Sequence, residues 1–111
     1  MLKIGNKNKK INAQLCKGLA ATIGFMFQFR SSYAKVLVLD EAKKAELHMF
    51  FVFFPIYAIF LNDRNRVVET ALLKPFTFYS SKKKAKYVLE MPARLARGFR
   101  VRVGDKIKFI N

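Results

Sequence analysis

Residues 99–109 have the sequence FRVRVGDKIKF, and this stretch gives the clearest structural signal in the chain. Apolar residues alternate with arginines up to Val103, Gly104-Asp105 marks a turn, and apolar residues then alternate with lysines up to Phe109. Such alternation on both sides of a turn is typical of a β-hairpin with one buried face. If the apolar residues face the core, four basic side chains face outward, namely Arg100, Arg102, Lys106 and Lys108.

The rest of the chain continues this pattern of short strands. Further candidate strands, bounded by turn residues or prolines, are residues 2–4, 10–13, 35–39, 47–54, 56–61, 66–72 and 85–91. Apolar runs without alternation, such as those on either side of Pro55, are typical of strands covered on both faces. Because 111 residues are near the common size of one domain, we expect a single domain over residues 1–111.

Helical character is confined to short segments. Leu15, Leu19, Ile23 and Met26 recur at steps of four and three, which predicts a short helix with Cys16 beside the apolar stripe. The charged residues 40–46 predict a helical turn, and residues 94–98 predict a loop or one helical turn. The sequence therefore predicts a mostly-β fold, a small β-sandwich or barrel with one or two short helices.

The chain is strongly basic. Twenty-two Lys and Arg residues against seven Asp and Glu give a formal net charge of +15. Residues 1–39 carry seven basic side chains and no acid, and residues 70–111 carry eleven basic and two acidic ones. Such an excess costs self-repulsion in the folded state, which an anionic partner would relieve.

The basic clusters are the candidate binding residues. The outward face of the predicted hairpin is joined in sequence by further lysines and arginines, which are Lys82, Lys83, Lys84, Lys86, Arg94 and Arg97. A strip of such side chains neutralises phosphates without distinguishing bases. We therefore predict a non-enzymatic domain that binds nucleic acid or another polyanion without sequence specificity. The alternative, a small-molecule or protein-partner module whose basic surface only aids solubility, remains open.

Residues able to do chemistry are few. Cys16 and His48 are the only cysteine and histidine, too few for a metal site, and we expect both to be structural and buried. Asp40, Glu41 and Glu46 lie among lysines, as in a solvated turn, and no phosphate-binding glycine loop or metal-binding motif is present. The sequence predicts neither catalysis nor a cofactor.

The aromatic residues divide into two groups. Phe50, Phe51, Phe53 and Phe54 adjoin an aliphatic run and are predicted to lie in the core. Three others, Phe76, Phe78 and Tyr79, lie in a predicted loop immediately before the lysine cluster. They are candidates for stacking on bases, although packing beneath the loop explains them equally well.

Two features bear on the cell compartment. The longest apolar run, residues 49–61, has 13 residues with Pro55 inside it, whereas a membrane-spanning helix needs about 20. Lysines precede the apolar residues 19–27 as in a signal peptide, but the basic region is unusually long and Arg30 lies beside the cleavage-like sequence at residues 32–34. Together with the single cysteine, this favours a cytoplasmic protein without a membrane span. Its oligomeric state is left open.

Several ordered segments resemble one known family. Residues 24–28 are similar to a GLMFR element, residues 48–56 to HMFFMxFPID, residues 73–76 to LKPW, residues 86–93 to AYVLELPAG and residues 103–105 to VGD. Together they resemble domain-of-unknown-function family 192 (DUF192) in its archaeal form, across nearly the whole chain. The resemblance implies a jelly-roll-like β-sandwich with short helices, and it implies no activity.

The chain departs from the family pattern at three positions. Tyr57 replaces an aspartate, Phe76 replaces a tryptophan, and Arg94 replaces a glycine. A function of the family that depended on that carboxylate would be lost here.

Overall fold

The computed structural model describes residues 2–7, 9–16 and 33–111. In these residues seven strands form one mixed sheet, with a single short helix. The strands are β1 (Lys3–Asn6), β2 (Lys9–Cys16), β3 (Ala34–His48), β4 (Ile56–Leu61), β5 (Val67–Leu73), β6 (Phe78–Pro92) and β7 (Lys108–Ile110), and the helix α1 is Ala93–Ala96. The predicted mostly-β fold is confirmed. No helix in these ranges is long and apolar enough to cross a membrane.

The strands are arranged in the order β5-β4-β6-β3-β2-β1-β7. All neighbours are antiparallel except β2 and β3, which run parallel through residues 13–16 and 34–37. The strands predicted at residues 2–4 and 10–13 form the hairpin of β1 and β2, with Asn6 opposite Lys9.

Hydrogen bonds join the two outer parts of the sheet. Val67 N donates to Asp105 O (2.8 Å), and Gly104 N donates to Val67 O (2.7 Å). Arg66, just before β5, pairs with Lys106, just before β7. The loop of residues 99–107 is therefore held between β5 and β1.

The core lies on both faces of the central strands. Phe60 and Val88 belong to one buried cluster, and Leu89 and Phe99 belong to the other. Since β6 lies between β4 and β3, its residues 88–92 are buried regardless of the face on which they lie.

Two helical predictions do not agree with the structure. Residues 40–46 continue strand β3 instead of forming a turn, because Ala45 and Leu47 alternate with exposed residues and are buried against β6. Ala45 N also donates to Ser81 Oγ on β6 (2.8 Å). Leu15 and Cys16 end strand β2, and the rest of the helix predicted for residues 15–26 lies outside the described residues.

The predicted C-terminal hairpin does not form, although its basic side chains are exposed as expected. Strand β7 pairs with β1 instead of with residues 99–103. Phe99 and Ile107 are buried as predicted, but Val103 is 67% exposed because it adjoins the turn at Gly104, whose φ is +98°. Pairing of this loop with β5 replaces the expected local pairing.

The phenylalanine run after β3 is also different from the prediction. The strand ends at His48, and Phe50, Phe51 and Phe53 are exposed rather than in the core. Met49 and Val52 occupy the core positions in this loop instead, while Phe54 is half-buried against the core as predicted. Strand β6 begins at Phe78, so Phe78, Tyr79 and the lysine cluster lie on a strand and not in a loop.

Candidate polyanion-binding surface

The exposed face of β7, β1 and β2 carries a row of lysines. Gly5 on β1 lies opposite Lys108 on one side and Lys10 on the other, so these residues share a face. Lys3 is two residues before Gly5 and therefore lies on the same face. Ile4, on the opposite face, is fully buried. This burial fixes which way the lysines point.

Gly5 adds no side chain of its own at the centre of the row. A Cβ placed on Gly5 would lie 3.7 Å from Cγ of Lys10 and 3.4 Å from Cδ1 of Ile110. The stem of Lys10 and the end of the Ile110 side chain thus both lie close over the glycine backbone, between Lys10 and Lys108.

The loop of residues 99–107 is anchored to β1 by Asn6. The buried Asn6 Nδ2 donates to Arg100 O (2.6 Å) and to Asp105 Oδ2 (3.4 Å). Asp105 Oδ2 also accepts a hydrogen bond from Arg102 N (2.9 Å). Because Asn6 alternates with Gly5 along β1, its side chain lies on the face of Ile4, and the loop is held on that face, opposite the lysine row. The name basic surface is used here for the exposed basic residues of the row and of this loop, which are Lys3, Lys10, Arg100, Arg102, Lys106 and Lys108.

The positive charge of the basic surface is largely uncompensated. Among the described residues, no ion pair links these six side chains to a carboxylate. Asp105 lies in the same loop, and the hydrogen bond from Arg102 N, with smaller contributions from Asn6 and from the charges of Lys7 and Arg102, holds its pKa below the ordinary value. Its Oδ2 binds the loop backbone at Arg102 and the side chain of Asn6.

The lysine cluster of β6 forms a second basic group. Lys82, Lys83 and Lys84 are exposed, and Lys84 lies opposite Lys44 of β3. No described hydrogen bond or strand pairing joins this group directly to the basic surface. The β5 region contacts both groups: Arg66, just before β5, pairs with Lys106, and Glu69 on β5 accepts a hydrogen bond from Lys82 N. The structure thus separates the predicted site residues Lys82, Lys83 and Lys84 from the basic surface.

The remaining predicted site residues have other surroundings. Lys86 Nζ donates to Leu39 O (2.6 Å) and Asp40 O (2.9 Å), where the β3–β6 register shifts. Its ammonium group thus stabilises the fold. Arg94 lies on α1 and Arg97 directly follows it, both exposed.

Glu69 holds the β6 lysines in place. Its Oε1 accepts hydrogen bonds from Lys82 N (2.8 Å) and Lys83 N (2.9 Å), and its Oε2 accepts one from the Tyr79 hydroxyl. The bond to Glu69 and burial raise the pKa of Tyr79 to about 12. Burial acts to raise the pKa of Glu69, but the Tyr79 and backbone hydrogen bonds outweigh it and lower that pKa overall.

A buried group of ionisable residues was not predicted from the sequence. Lys35 on β3 lies directly opposite Glu90 on β6, and both are buried. Burial raises the pKa of Glu90 to about 7, while the charge of Lys35 acts in the opposite direction. Cys16 is also buried, and burial raises the pKa of its thiol. The sequence signal for this burial was the position of Glu90 between the apolar residues Leu89 and Met91, near the end of the predicted strand 85–91.

The matching family model is DUF192, described as "Uncharacterized ACR, COG1430", and it covers residues 2–109. The chain belongs to the DUF192 family. Family membership assigns no activity to it, because the family is uncharacterised.

Archaeal relatives of this DUF192 chain are similar over most of its length. The UPF0127 protein of Pyrococcus abyssi is 37% identical over 89 residues, which are 78% of this chain and 75% of that protein. The UPF0127 protein of Pyrococcus horikoshii is also 37% identical, over 78% of this chain and 76% of its own length.

Two crystal structures share the fold of the DUF192 chain. One, from Sinorhizobium meliloti 1021 and named as a proposed transcription regulator, has a TM-score of 0.86 at 14% identity and covers 97% of this chain and 91% of its own. The other, a protein of unknown function from Novosphingobium aromaticivorans, has a TM-score of 0.80 at 18% identity and covers 96% and 82%.

The residues at which the DUF192 chain departs from the family pattern are not grouped around a described polar site. Tyr57 is half-buried against the core cluster that contains Leu89, and Phe76 is exposed in the loop before β6. His48 lies beside Phe50, with 5.6 Å between ring centroids, and its buried Nδ1 has no hydrogen-bond partner among the described residues. In the described part of the chain, no three His, Cys, Asp or Glu side chains are grouped to hold a metal ion.

Proposed function

We propose that this chain binds nucleic acid, or another polyanion, without sequence specificity through the basic surface. The observation that supports this most strongly is the register of β7, β1 and β2, which puts Lys108 and Lys10 on one exposed face across Gly5. In this proposal the chain is a binding module of the cytoplasm and not an enzyme.

The spacing of the charges suits a phosphate backbone. Adjacent strands are about 4.8 Å apart, so the backbones at Lys10 and Lys108 are separated by about 10 Å. Flexible lysine side chains at this spacing reach neighbouring phosphates of one strand, and the exposed arginines of the loop add positive charge that attracts the phosphate backbone. Contacts of this kind position a duplex without distinguishing its sequence. The name of the Sinorhizobium meliloti structure, a proposed transcription regulator, is in line with a nucleic-acid partner.

Binding to a short duplex at several salt concentrations tests this proposal. If four to six of the basic side chains contact phosphates, log K against log salt has a slope of about −4 to −5, because each contact contributes roughly −0.9. Duplexes of unrelated sequence are expected to bind with similar affinity. The measurement is fluorescence anisotropy of a labelled duplex from about 50 mM salt upward. Absence of binding at the lowest salt, or an affinity that does not change with salt, would refute the proposal.

A cavity favours a second candidate function, the binding of a small apolar molecule. Its volume is about 260 Å³, and its lining is formed by Leu2, Leu15, Val36, Tyr87, Phe109 and Asn111. Ligand pockets in proteins are commonly about 300–1,000 Å³, so this one suits only a small ligand. Saturation of the cavity by such a ligand, together with no binding of duplexes, would favour this candidate over the first.

A further inference from the structure

Five phenylalanine rings are exposed to solvent where β3 ends and β6 begins, namely those of Phe50, Phe51, Phe53, Phe76 and Phe78. Phe78 is 71% exposed, Phe76 is 51% exposed and Phe50 is 42% exposed. The rings of Phe50 and Phe78 meet edge to face, with 4.9 Å between their centroids. Exposed aromatic rings that contact each other form a sizeable apolar surface, which in soluble domains commonly marks a binding site.

The backbone holds this arrangement at some energetic cost. Phe51 and Phe76 have φ of 57° and 62°, in the left-handed region, which is an unfavourable conformation for a residue with a side chain. Two hydrogen bonds lock the loops together: Met49 N donates to Thr77 O and Phe76 N donates to Met49 O, both at 2.7 Å. Strain that the surrounding structure imposes in this way is found preferentially at functional sites.

The pairing of β3 with β6 puts lysines on the same face as the rings. His48 lies opposite Phe78, Glu46 opposite Ser80, and Lys44 opposite Lys84. The β3–β6 register shifts between Lys44 and Glu46, but Ala45 and Leu47 are buried while Lys44 and Glu46 are exposed, so residues two apart on this part of β3 still share a face. One exposed face therefore carries aromatic rings at one end and a pair of lysines at the other, about 13 Å apart along β3.

We propose that this face binds single-stranded nucleic acid. The bases stack on Phe78 and Phe50, and Lys44 and Lys84 contact the phosphates. Exposed rings beside a basic strip are the combination that single-strand binders use, because each base has a face that can stack once it is unpaired. A duplex hides those faces, so this site is distinct from the basic surface in ligand as well as in position. Glu46 is the one carboxylate among the paired residues named above, and it lies between the rings and the lysines. In the proposed complex it faces the sugars and bases of the bound nucleic acid and not its phosphates.

The site is tested with a labelled single-stranded oligonucleotide and the variant Phe78→Ala. Stacking on one aromatic side chain is worth roughly a 5- to 100-fold change in affinity per base, so we expect a loss of that size for the single strand. Affinity for a duplex stays unchanged. The matched control is Leu72→Ala, which removes a side chain that is 60% exposed on β5 and leaves single-strand affinity unchanged. A double variant, Lys44→Gln with Lys84→Gln, is expected to reduce the salt slope for single strands by about 1.4.

The variant Phe78→Trp provides a direct readout, because the chain contains no tryptophan. Stacking of a base on this single indole is expected to quench its fluorescence at saturating oligonucleotide, while affinity equals or exceeds that of the unmodified chain. This test remains available if Phe78→Ala fails to fold.

Two outcomes overturn the proposal. The first is single-strand affinity that Phe78→Ala does not change, and the second is Phe78→Trp fluorescence that is not quenched on binding. If the first outcome comes with a change of oligomeric state in Phe78→Ala, the face is assigned to contact with a second copy of the chain. None of these outcomes tests the basic surface, because the variants of that surface are tested by measuring their affinity for a duplex.

Discussion

Replacing Lys10 and Lys108 together by glutamine is expected to weaken duplex binding about 200-fold at 50 mM salt. The loss of two phosphate contacts reduces the salt slope by about 1.8. If the two proteins bind equally at about 1 M salt, the 20-fold dilution to 50 mM makes their affinities differ by a factor of 20 to the power 1.8, which is about 200. Both side chains are exposed and Gly5 lies between them, so the fold should be unaffected. The measurement is the salt dependence of duplex affinity for both proteins.

The matched control is the double variant Lys43→Gln with Lys74→Gln. It removes the same charge from an exposed position of β3 and an exposed position just after β5. Because β2 and β3 run parallel and pair only through residues 13–16 and 34–37, Lys10 precedes the paired stretch and Lys43 follows it, toward the other end of the sheet. Duplex affinity should fall only slightly in this control. Equal losses in both double variants would mean that net charge, and not the basic surface, determines binding.

Replacing Glu90 by glutamine is expected to stabilise the protein at pH 8 by about 3 kcal/mol at most and to leave it unchanged at pH 4. Burial raises the pKa of Glu90 to about 7 in the folded chain, against about 4.5 for an unfolded glutamate. Between these values the folded state binds the proton and the unfolded state does not, so the free energy of unfolding falls as the pH rises from about 4.5 to about 7. Glutamine cannot ionise and does not impose this cost.

Urea unfolding of both proteins at pH 4, 6 and 8 measures this effect as a difference, in which all other titrations cancel. Glu41→Gln, at an exposed position of β3, serves as the control and should give no such pH-dependent difference. If the difference in unfolding free energy between Glu90→Gln and the unmodified chain is the same at all three pH values, the pKa of Glu90 is not raised in the folded state and the prediction is wrong.

The sequence predicts those strands whose boundaries are marked by local turn residues. The hairpin of β1 and β2, the turn at residues 62–65 and the end of β6 at Pro92 lie where their Gly, Asn, Asp and Pro residues place them. Residues 40–46 were mistaken for a helical turn because their charges and alanines have helical propensity, whereas pairing with β6 decides their conformation. Propensity is a weak guide where long-range pairing is available.

The candidate sites were predictable only in part, for the same reason. Alternation at residues 99–109 correctly identified Arg100, Arg102, Lys106 and Lys108 as exposed, but not their partner strand, so Lys3 and Lys10 were missed. Phe50 was assigned to the core because apolar runs usually are buried. Which of the apolar residues in a loop become buried depends on backbone angles such as the positive φ of Phe51, and composition does not determine these.

The most direct test of the central claim is to map the duplex on the protein by NMR. A labelled sample titrated with a short duplex at about 50 mM salt is expected to show amide shift changes at residues 3–10 and 100–108. Residues 40–48 and 78–85, which carry the other basic group and the exposed rings, should show none. Changes confined to that second region, or no changes at saturating duplex, would contradict the assignment of polyanion binding to the basic surface.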